Sequence, residues 1–376
     1  MKVKAAVLRQ GGLPRPYAQS RPLTVEEVEL DPPGPGEVLV RVKAAGLCHS
    51  DLSVISGDVP LPMPLVPGHE AAGVVEALGP GVTDLEVGDH VAMVFVASCG
   101  TCGFCREARP ALCENGRRSN LTGTLLYGSK RLHDHGGADV FHNMGVSCFA
   151  ERCVVSRGSL VKIDKELGFE EAALFGCAVV TGVGSVINTA KVTAGSSVAI
   201  VGLGGVGLNI LLAAKLAGAR RIVAIDVNGE KLALARQLGA TDTYDARDKD
   251  LVRTIHRATN RGVDFAFETA GLADSLDLAY KITRCGGTTT TTSLPHRDVN
   301  WTIPTAHAVL EERTVKGSFM GSAVPSRDIP RYIDLYRQGR LPVDRLMSNR
   351  LTLDQLNEGF DRLADGAVVR QILVLE

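Results

Sequence analysis

Residues Val198-Ala-Ile-Val-Gly202-Leu-Gly204-Gly205-Val-Gly207 are an apolar β-run that ends in G-x-G-x-x-G. The apolar stretch Val206–Ala217 follows at once. A strand, a glycine turn and a helix in that order constrain this chain more than any other feature. Gly202 permits the tight turn, Gly204 lets backbone approach an anion closely, and Gly207 lets helix and strand pack together. Gly205 and Val206 open the helix, whose first N–H groups lack partners within it and favour negative charge. The expected occupant is a pyrophosphate. A second β-run, Arg221–Asp226, ends in an acid about 20 residues beyond Gly207. A carboxylate there accepts hydrogen bonds from ribose hydroxyls and repels a 2′-phosphate, so NAD is favoured over NADP. Asn228 and Lys231 follow that acid, with no arginine just after the strand. A glycine turn in an α/β sheet with no ligand is the simpler alternative.

β and α runs alternate from Ser197 onward. Strands are predicted over Ser197–Val201, Arg221–Asp226, Val263–Thr269 and Gly287–Leu294, and helices over Gly229–Leu238, Lys249–Thr259 and Ala273–Arg284. This alternation implies a parallel sheet covered by helices. The first third instead holds short strands, Val3–Leu8, Glu37–Ala45, Gly73–Leu78 and His90–Phe95, between Gly/Pro-rich turns, as in a small irregular β-barrel or sandwich. Phe169–Lys191, Asp328–Gln338 and Leu353–Asp365 read as helical, and Val368–Leu375 as a closing strand. A length of 376 residues fits two or three domains. Lysine and arginine number 41 against 42 acids, so no basic excess points to nucleic acid or an anionic membrane surface. Ala172–Ala190 and Val192–Ala214 lack charge and are long enough to span a bilayer. Glycines and polar residues interrupt both, so neither is expected to span.

Nine cysteines cannot all pair. Met1–Gln10 carries no apolar run of signal-peptide length, so a cytoplasmic, reducing compartment is expected, where clustered cysteines hold metal more often than disulfides. Cys99, Cys102, Cys105 and Cys113 form C-x2-C-x2-C-x7-C. Four thiolates can close a tetrahedron around zinc and leave no position for substrate, which makes the site structural. Free or redox-active thiols and an iron–sulfur cluster are the alternatives. Cys48, His69 and Cys177 are a second candidate set. Two Cys and one His would leave a zinc position open, but distance along the chain alone does not join them. Cys148, Cys153 and Cys285 are assigned no role. His133, His135 and His142 read as exposed polar residues.

Gly68-His69-Glu70-Ala71-Ala72-Gly73-Val74-Val75, the four-cysteine lobe, Gly202–Gly207 and Arg370 occur in the order found in zinc-dependent medium-chain alcohol dehydrogenases, which the chain resembles over nearly its whole length. The resemblance implies an α/β protein. A GroES-like β-barrel catalytic domain (1–178 and 322–376) would carry a Rossmann doubly wound parallel sheet (179–321), with the active cleft where the two meet. It implies two zinc ions per chain, one catalytic on Cys48, His69 and Cys177 and one structural. Glu70 matches an acid that can approach the catalytic zinc, Asp51 the carboxylate that orients the histidine ligand, and Ser50 the hydroxyl that takes the substrate proton. Phe95, Val59 and Met144 match the substrate pocket. Thr181, Val206, Lys231, Arg370 and His49 match positions at the coenzyme. Ser53 stands where animal relatives end their proton relay with histidine.

The implied reaction is reversible hydride transfer between a primary, aromatic or medium-chain alcohol and NAD. Leu125, Leu126, Phe141 and Met144 of the long Asn115–Cys148 segment, together with Phe95, are expected to form a roomy apolar slot. Arg117 raises the alternative of a glutathione- or thiol-dependent formaldehyde dehydrogenase, and a non-enzymatic NAD-binding protein is a further one. The expected partners are a small-molecule alcohol or aldehyde and a second copy of the chain, as a homodimer (a tetramer being the alternative) joined near Trp301–Met320.

Overall fold

The structure is a computed structural model that describes residues 1–296 and 298–376. It divides into two compact units. The first holds Met1–Cys177, Val324–Ile333 and Met347–Glu376; the second holds Ala178–Ala323 and Asp334–Leu346. These bounds differ from the expected 1–178, 322–376 and 179–321. Residues 334–346 pack with the second unit, although they lie beyond the expected return of the chain to the first.

In the first unit, strands Lys2–Leu8, Leu23–Leu30, Leu132–His133, Asp139–His142 and Leu65–Val66 close a barrel. Beside it runs a sheet ordered Leu160–Ile163, His90–Met93, Ala71–Leu78, Glu37–Gly46, Arg370–Val374 and Met347–Leu351, with Arg152–Ser156 also paired to Glu37–Gly46. Arg370–Val374 therefore lies antiparallel to a strand more than 300 residues earlier, with Ile372 opposite Gly46 and Leu373 opposite Ala45. Phe149 and Phe360 pack with ring centroids 6.0 Å apart, joining the last helix to the body of the unit. Burial of each such ring stabilises the fold by roughly 2–3 kcal/mol.

The second unit carries one parallel sheet of six strands. Their order is Asp242–Asp245, Arg221–Asp226, Ser197–Val201, Val263–Glu268, Thr283–Thr291 and Thr314–Gly317. That is the 3-2-1-4-5-6 order of dinucleotide-binding sheets, which places ligands at the carboxyl ends where the order reverses. The threonine run is a strand with neighbours on both sides, and Thr289 and Thr290 are buried. The helix Phe169–Ala190 is long and apolar enough to cross a membrane, but 83% of its apolar window is buried inside the protein. It is a core helix.

The Asn115–Cys148 segment is not one long loop. It contains helix Glu114–Thr122 and two barrel strands. Leu125 belongs to the barrel core and Phe141 packs partly buried against the neighbouring core, which corrects the slot expected from them. His142 corrects a second expectation: it is 1% exposed and accepts a hydrogen bond from Arg131 N through Nε2, 3.2 Å. Burial pushes its pKa down to about 4. An unfolded chain therefore takes up a proton below about pH 6.5 that the folded chain refuses until about pH 4, so stability falls as pH drops through that window, by about 3 kcal/mol. Urea unfolding of wild type and His142→Gln at pH 7, 5.5 and 4.5 should show the variant losing less stability on acidification. Parallel losses would exclude this origin.

Candidate metal centre and dinucleotide site

Three stretches meet at one end of the seven-stranded sheet. Strand Glu37–Gly46 ends there, and the chain passes through Leu47 and Cys48 into helix His49–Ile55. Gly46 N donates to Glu70 O (2.9 Å) and Leu47 N to Gln371 O (3.1 Å). A Cβ on Gly46 would overlap the Glu70 carboxylate, so a larger residue there would have to displace it. His69 and Glu70 immediately precede strand Ala71–Leu78. Cys177 sits in a wide π-type turn, Phe175–Val179, within the core helix; such turns recur at functional sites. One ligand atom from each of Cys48, His69 and Cys177 lies within 4.8 Å of the others.

Asp51 orients the histidine. Its Oδ1 is 3.0 Å from His69 Nδ1, which leaves Nε2 to face the two sulfurs, and neither residue is more than 1% exposed. Burial disfavours a charged His69 ring, but the charges of Asp51 and Cys48 outweigh it and push the pKa up to about 10. A hydrogen bond from Cys177 holds the Cys48 thiol well below its ordinary range, while the same bond and burial push Cys177 well above. This is a donor set crowded with protons that a divalent cation would displace. Its ligand types and number fit zinc with one open position.

Glu70 and Arg370 form an ion pair in which both side chains are almost fully buried. Arg370, expected at the coenzyme, thus has a partner inside the first unit. Ser50 Oγ lies 3.9 Å from Cys48 Sγ. Ser53 Oγ donates to the His49 carbonyl (3.0 Å), so its proton is held within the helix. His49 is exposed. Phe95 is 8% exposed and meets the His69 ring edge-on, centroids 5.5 Å apart. Met144 is half-buried with φ 49°, and Val59 is exposed. Arg117 and Arg118 face solvent.

Cys99, Cys102, Cys105 and Cys113 also converge, with all four sulfurs within 4.8 Å of one another. The separations Cys99–Cys105 (4.0 Å) and Cys102–Cys113 (3.9 Å) approach the ~3.8 Å of a zinc tetrathiolate with ~2.3 Å bonds. Backbone N–H groups of Cys102 and Gly116 point at Cys99 and Cys113 sulfurs (both 3.4 Å). Burial opposes ionisation of Cys99, but such N–H groups prevail and bring its pKa down to about 5. Among the described residues these two sets are the groups of three or more His, Cys, Asp or Glu able to hold a metal. Cys148 and Cys153 are buried and Cys285 is exposed.

In the second unit the glycine turn behaves as its residues predict. Gly202 has φ +95°, and a Cβ on Gly207 would overlap the Gly202 carbonyl. A Cβ on Gly204 would point into open space, at the head of helix Gly205–Leu216. Gly182 packs against the Val206 carbonyl, bringing Thr181 near the turn. Asp226 Oδ2 accepts from Leu203 N (2.7 Å) and Oδ1 from Asn228 N (2.8 Å), which fixes the acid beside the turn. Lys231 lies in the first turn of helix Gly229–Leu238. A residue that sequence reasoning did not single out, Arg247, also lies near this end of the sheet. It comes from the end of the neighbouring strand, its Nη2 3.3 Å from Val227 O and its guanidinium held by Asp245. The signal was spatial, since Arg247 is 21 positions after Asp226. Open space at Gly204, free helix N–H groups and a fixed acid suit a dinucleotide.

Cys113→Ser should remove about one zinc per chain and lower the melting temperature by roughly 5 °C or more. Metal analysis with calorimetry checks this, and an unchanged zinc content would exclude a metal on the four cysteines.

Residues 34–165 match the family of the alcohol dehydrogenase GroES-like domain, and residues 205–338 that of the zinc-binding dehydrogenase. An NDMA-dependent alcohol dehydrogenase of Amycolatopsis methanolica is 38% identical, with 100% of this chain and 99% of that one covered. The crystal structure of benzyl alcohol dehydrogenase from Acinetobacter calcoaceticus has a TM-score of 0.93 and 33% identity, with 100% of both chains covered. A structure from Sinorhizobium meliloti bound to NADP has a TM-score of 0.81 and 27% identity, covering 100% of this chain and 99% of that one. With both halves matched in order and relatives aligned end to end, the chain belongs to the zinc-dependent medium-chain alcohol dehydrogenase family.

Proposed function

We propose that the chain interconverts a small alcohol and its aldehyde or ketone by hydride transfer with NAD, using one catalytic and one structural zinc. The observation that carries this reading is the convergence of Cys48, His69 and Cys177 within 4.8 Å beside a buried carboxylate. When bound, zinc on these three residues would supply a Lewis acid at the substrate oxygen, and NAD at the glycine turn a hydride acceptor.

The protein's own groups do the rest. Asp51 fixes the His69 tautomer and ring plane. Ser50 Oγ, half-buried beside Cys48, accepts the hydroxyl proton. Exposed His49 gives that helix end a short route to solvent, since the Ser53 hydroxyl is already engaged. Phe95 supplies an apolar wall edge-on to His69. That wall, and a relative named for benzyl alcohol, support an aromatic or other primary alcohol of medium size. Asp226 supports NAD over NADP by accepting from ribose hydroxyls and repelling a 2′-phosphate. Edge strand Thr314–Gly317, paired on one side and bearing exposed Val315, supports assembly as a homodimer.

His69→Ala should reduce bound zinc from about two to about one per chain. It should also lower turnover of benzyl alcohol by at least about 10³-fold, the several kcal/mol that a Lewis acid contributes. Full activity in that variant would sink the assignment. The assays should run NAD, NADP and NDMA as acceptors in parallel, because one relative is named for NDMA dependence.

Asp226→Ser should shift the NAD:NADP ratio of kcat/KM toward NADP by roughly 10-fold or more, as expected for removing one charge near a 2′-phosphate. An unchanged ratio would assign the choice of coenzyme to other groups, Arg247 among them.

A further inference from the structure

Asp51 Oδ1 accepts three N–H groups, while Oδ2 has no hydrogen-bond partner among the described residues. Two donors are His69 Nδ1 (3.0 Å) and Gly68 N (3.1 Å). The third, and shortest, is Asn143 Nδ2 at 2.8 Å. Asp51 and Asn143 are both 0% exposed. The amide must turn its nitrogen toward Asp51, since its oxygen would face a carboxylate of like polarity.

The backbone that delivers this amide is strained. Met144 (φ 49°) and Ser147 (φ 54°) lie in the left-handed region on either side of Gly145 (φ 65°) and Val146. Non-glycine residues are disfavoured there, and such strain persists only where its surroundings over-determine it. Here Ser147 Oγ accepts from Asn143 N (2.9 Å), and Val146 N donates to Asn143 O (3.0 Å). The result is a tight staple after strand Asp139–His142, buried at Asn143, Val146 and Ser147.

We propose that Asn143 is a positioning residue for the metal centre. Its amide locks the Asp51 carboxylate, and through it the ring of His69, in the orientation that holds the cation. The proposal rests on reading Cys48, His69 and Cys177 as metal ligands. Partners at this remove from a metal typically change its retention 10–100-fold.

The test follows release of zinc from the holoenzyme to a chromogenic chelator, with the four-cysteine zinc as an internal control of folding. Asn143→Leu keeps the shape and removes the donor. It should release one of its two zincs at least about 10-fold faster and the other at the wild-type rate. Ser147→Ala loosens the staple but leaves the amide; it should lower the melting temperature and keep both release rates within about twofold. If Asn143→Leu loses the four-cysteine zinc as well, Asn143→Ser, whose hydroxyl falls short of Asp51, gives the same comparison. Wild-type release from Asn143→Leu, or equal acceleration in Ser147→Ala, overturns the proposal. A wild-type protein with zinc on the four cysteines alone overturns the metal-centre reading and the proposal together. Two zincs in wild type with both retained normally in Asn143→Leu overturns the proposal only.

Discussion

The backbone bond from Gly46 N to Glu70 O fixes where the candidate metal ligands come together. Ala45 pairs with Ala71 and Gly46 with Ile372, so three strands end in register. Cys48 comes two residues after the first paired end, His69 two before the second, and Arg370 two before the third. A slip of one residue would turn each of them to the opposite face of the sheet. The same register presses the Glu70 side chain onto Gly46, where a Cβ would overlap it. Site and sheet therefore cannot be varied separately.

Charge in this buried region is nearly balanced before any metal is considered. Asp51 is matched by His69 and Glu70 by Arg370. Unpaired buried charges are costly, and pairing is the usual remedy. The two thiols remain. They already share a proton unequally, with Cys48 the easier to ionise and Cys177 the harder. Two thiolates and a divalent cation sum to zero, while a coordinated His69 is neutral and leaves the Asp51 carboxylate as the negative charge in excess. Glu70 is placed here as the counter-ion of Arg370.

Much of the second unit was legible in the sequence because its signals are local. A strand, a positive-φ glycine, a helix and an acid fall within one short segment, and periodicity does the rest. The strand Asp242–Asp245 escaped because it is a short, mostly polar edge strand, half-buried throughout, in which Tyr244 alone packs on the core cluster. In the first unit the four-cysteine site was equally local. Leu132–His133 and Asp139–His142 were hidden because they are two and four residues long and gain their meaning only by closing a barrel. His142 looked like a surface histidine for the same reason. Cys48, His69 and Cys177 could be joined only through resemblance to a family, since nothing in their spacing brings them together. Asn143 carried no signal at all: an asparagine in a loop-like stretch reads as a turn residue until the fold sets it against Asp51.

The two cysteine-rich sites differ in what would hold them together without metal. Within residues 99–113 Ala111 and Cys113 are the only buried side chains. The regular structure there is a four-residue helix, Gly103–Arg106, and a short turn, Pro110–Leu112. A lobe with so little apolar burial has no core of its own, so a cation held by its four cysteines would supply the stability. The other set belongs to a unit with a large apolar core of its own, which includes Leu47, Met93 and Phe149. There the fold already orients Cys48, His69 and Cys177, and the cation need not crosslink anything. A centre relieved of that structural duty can leave one coordination position to a passing substrate, which is the physical reason for proposing the chemistry at the three-ligand site.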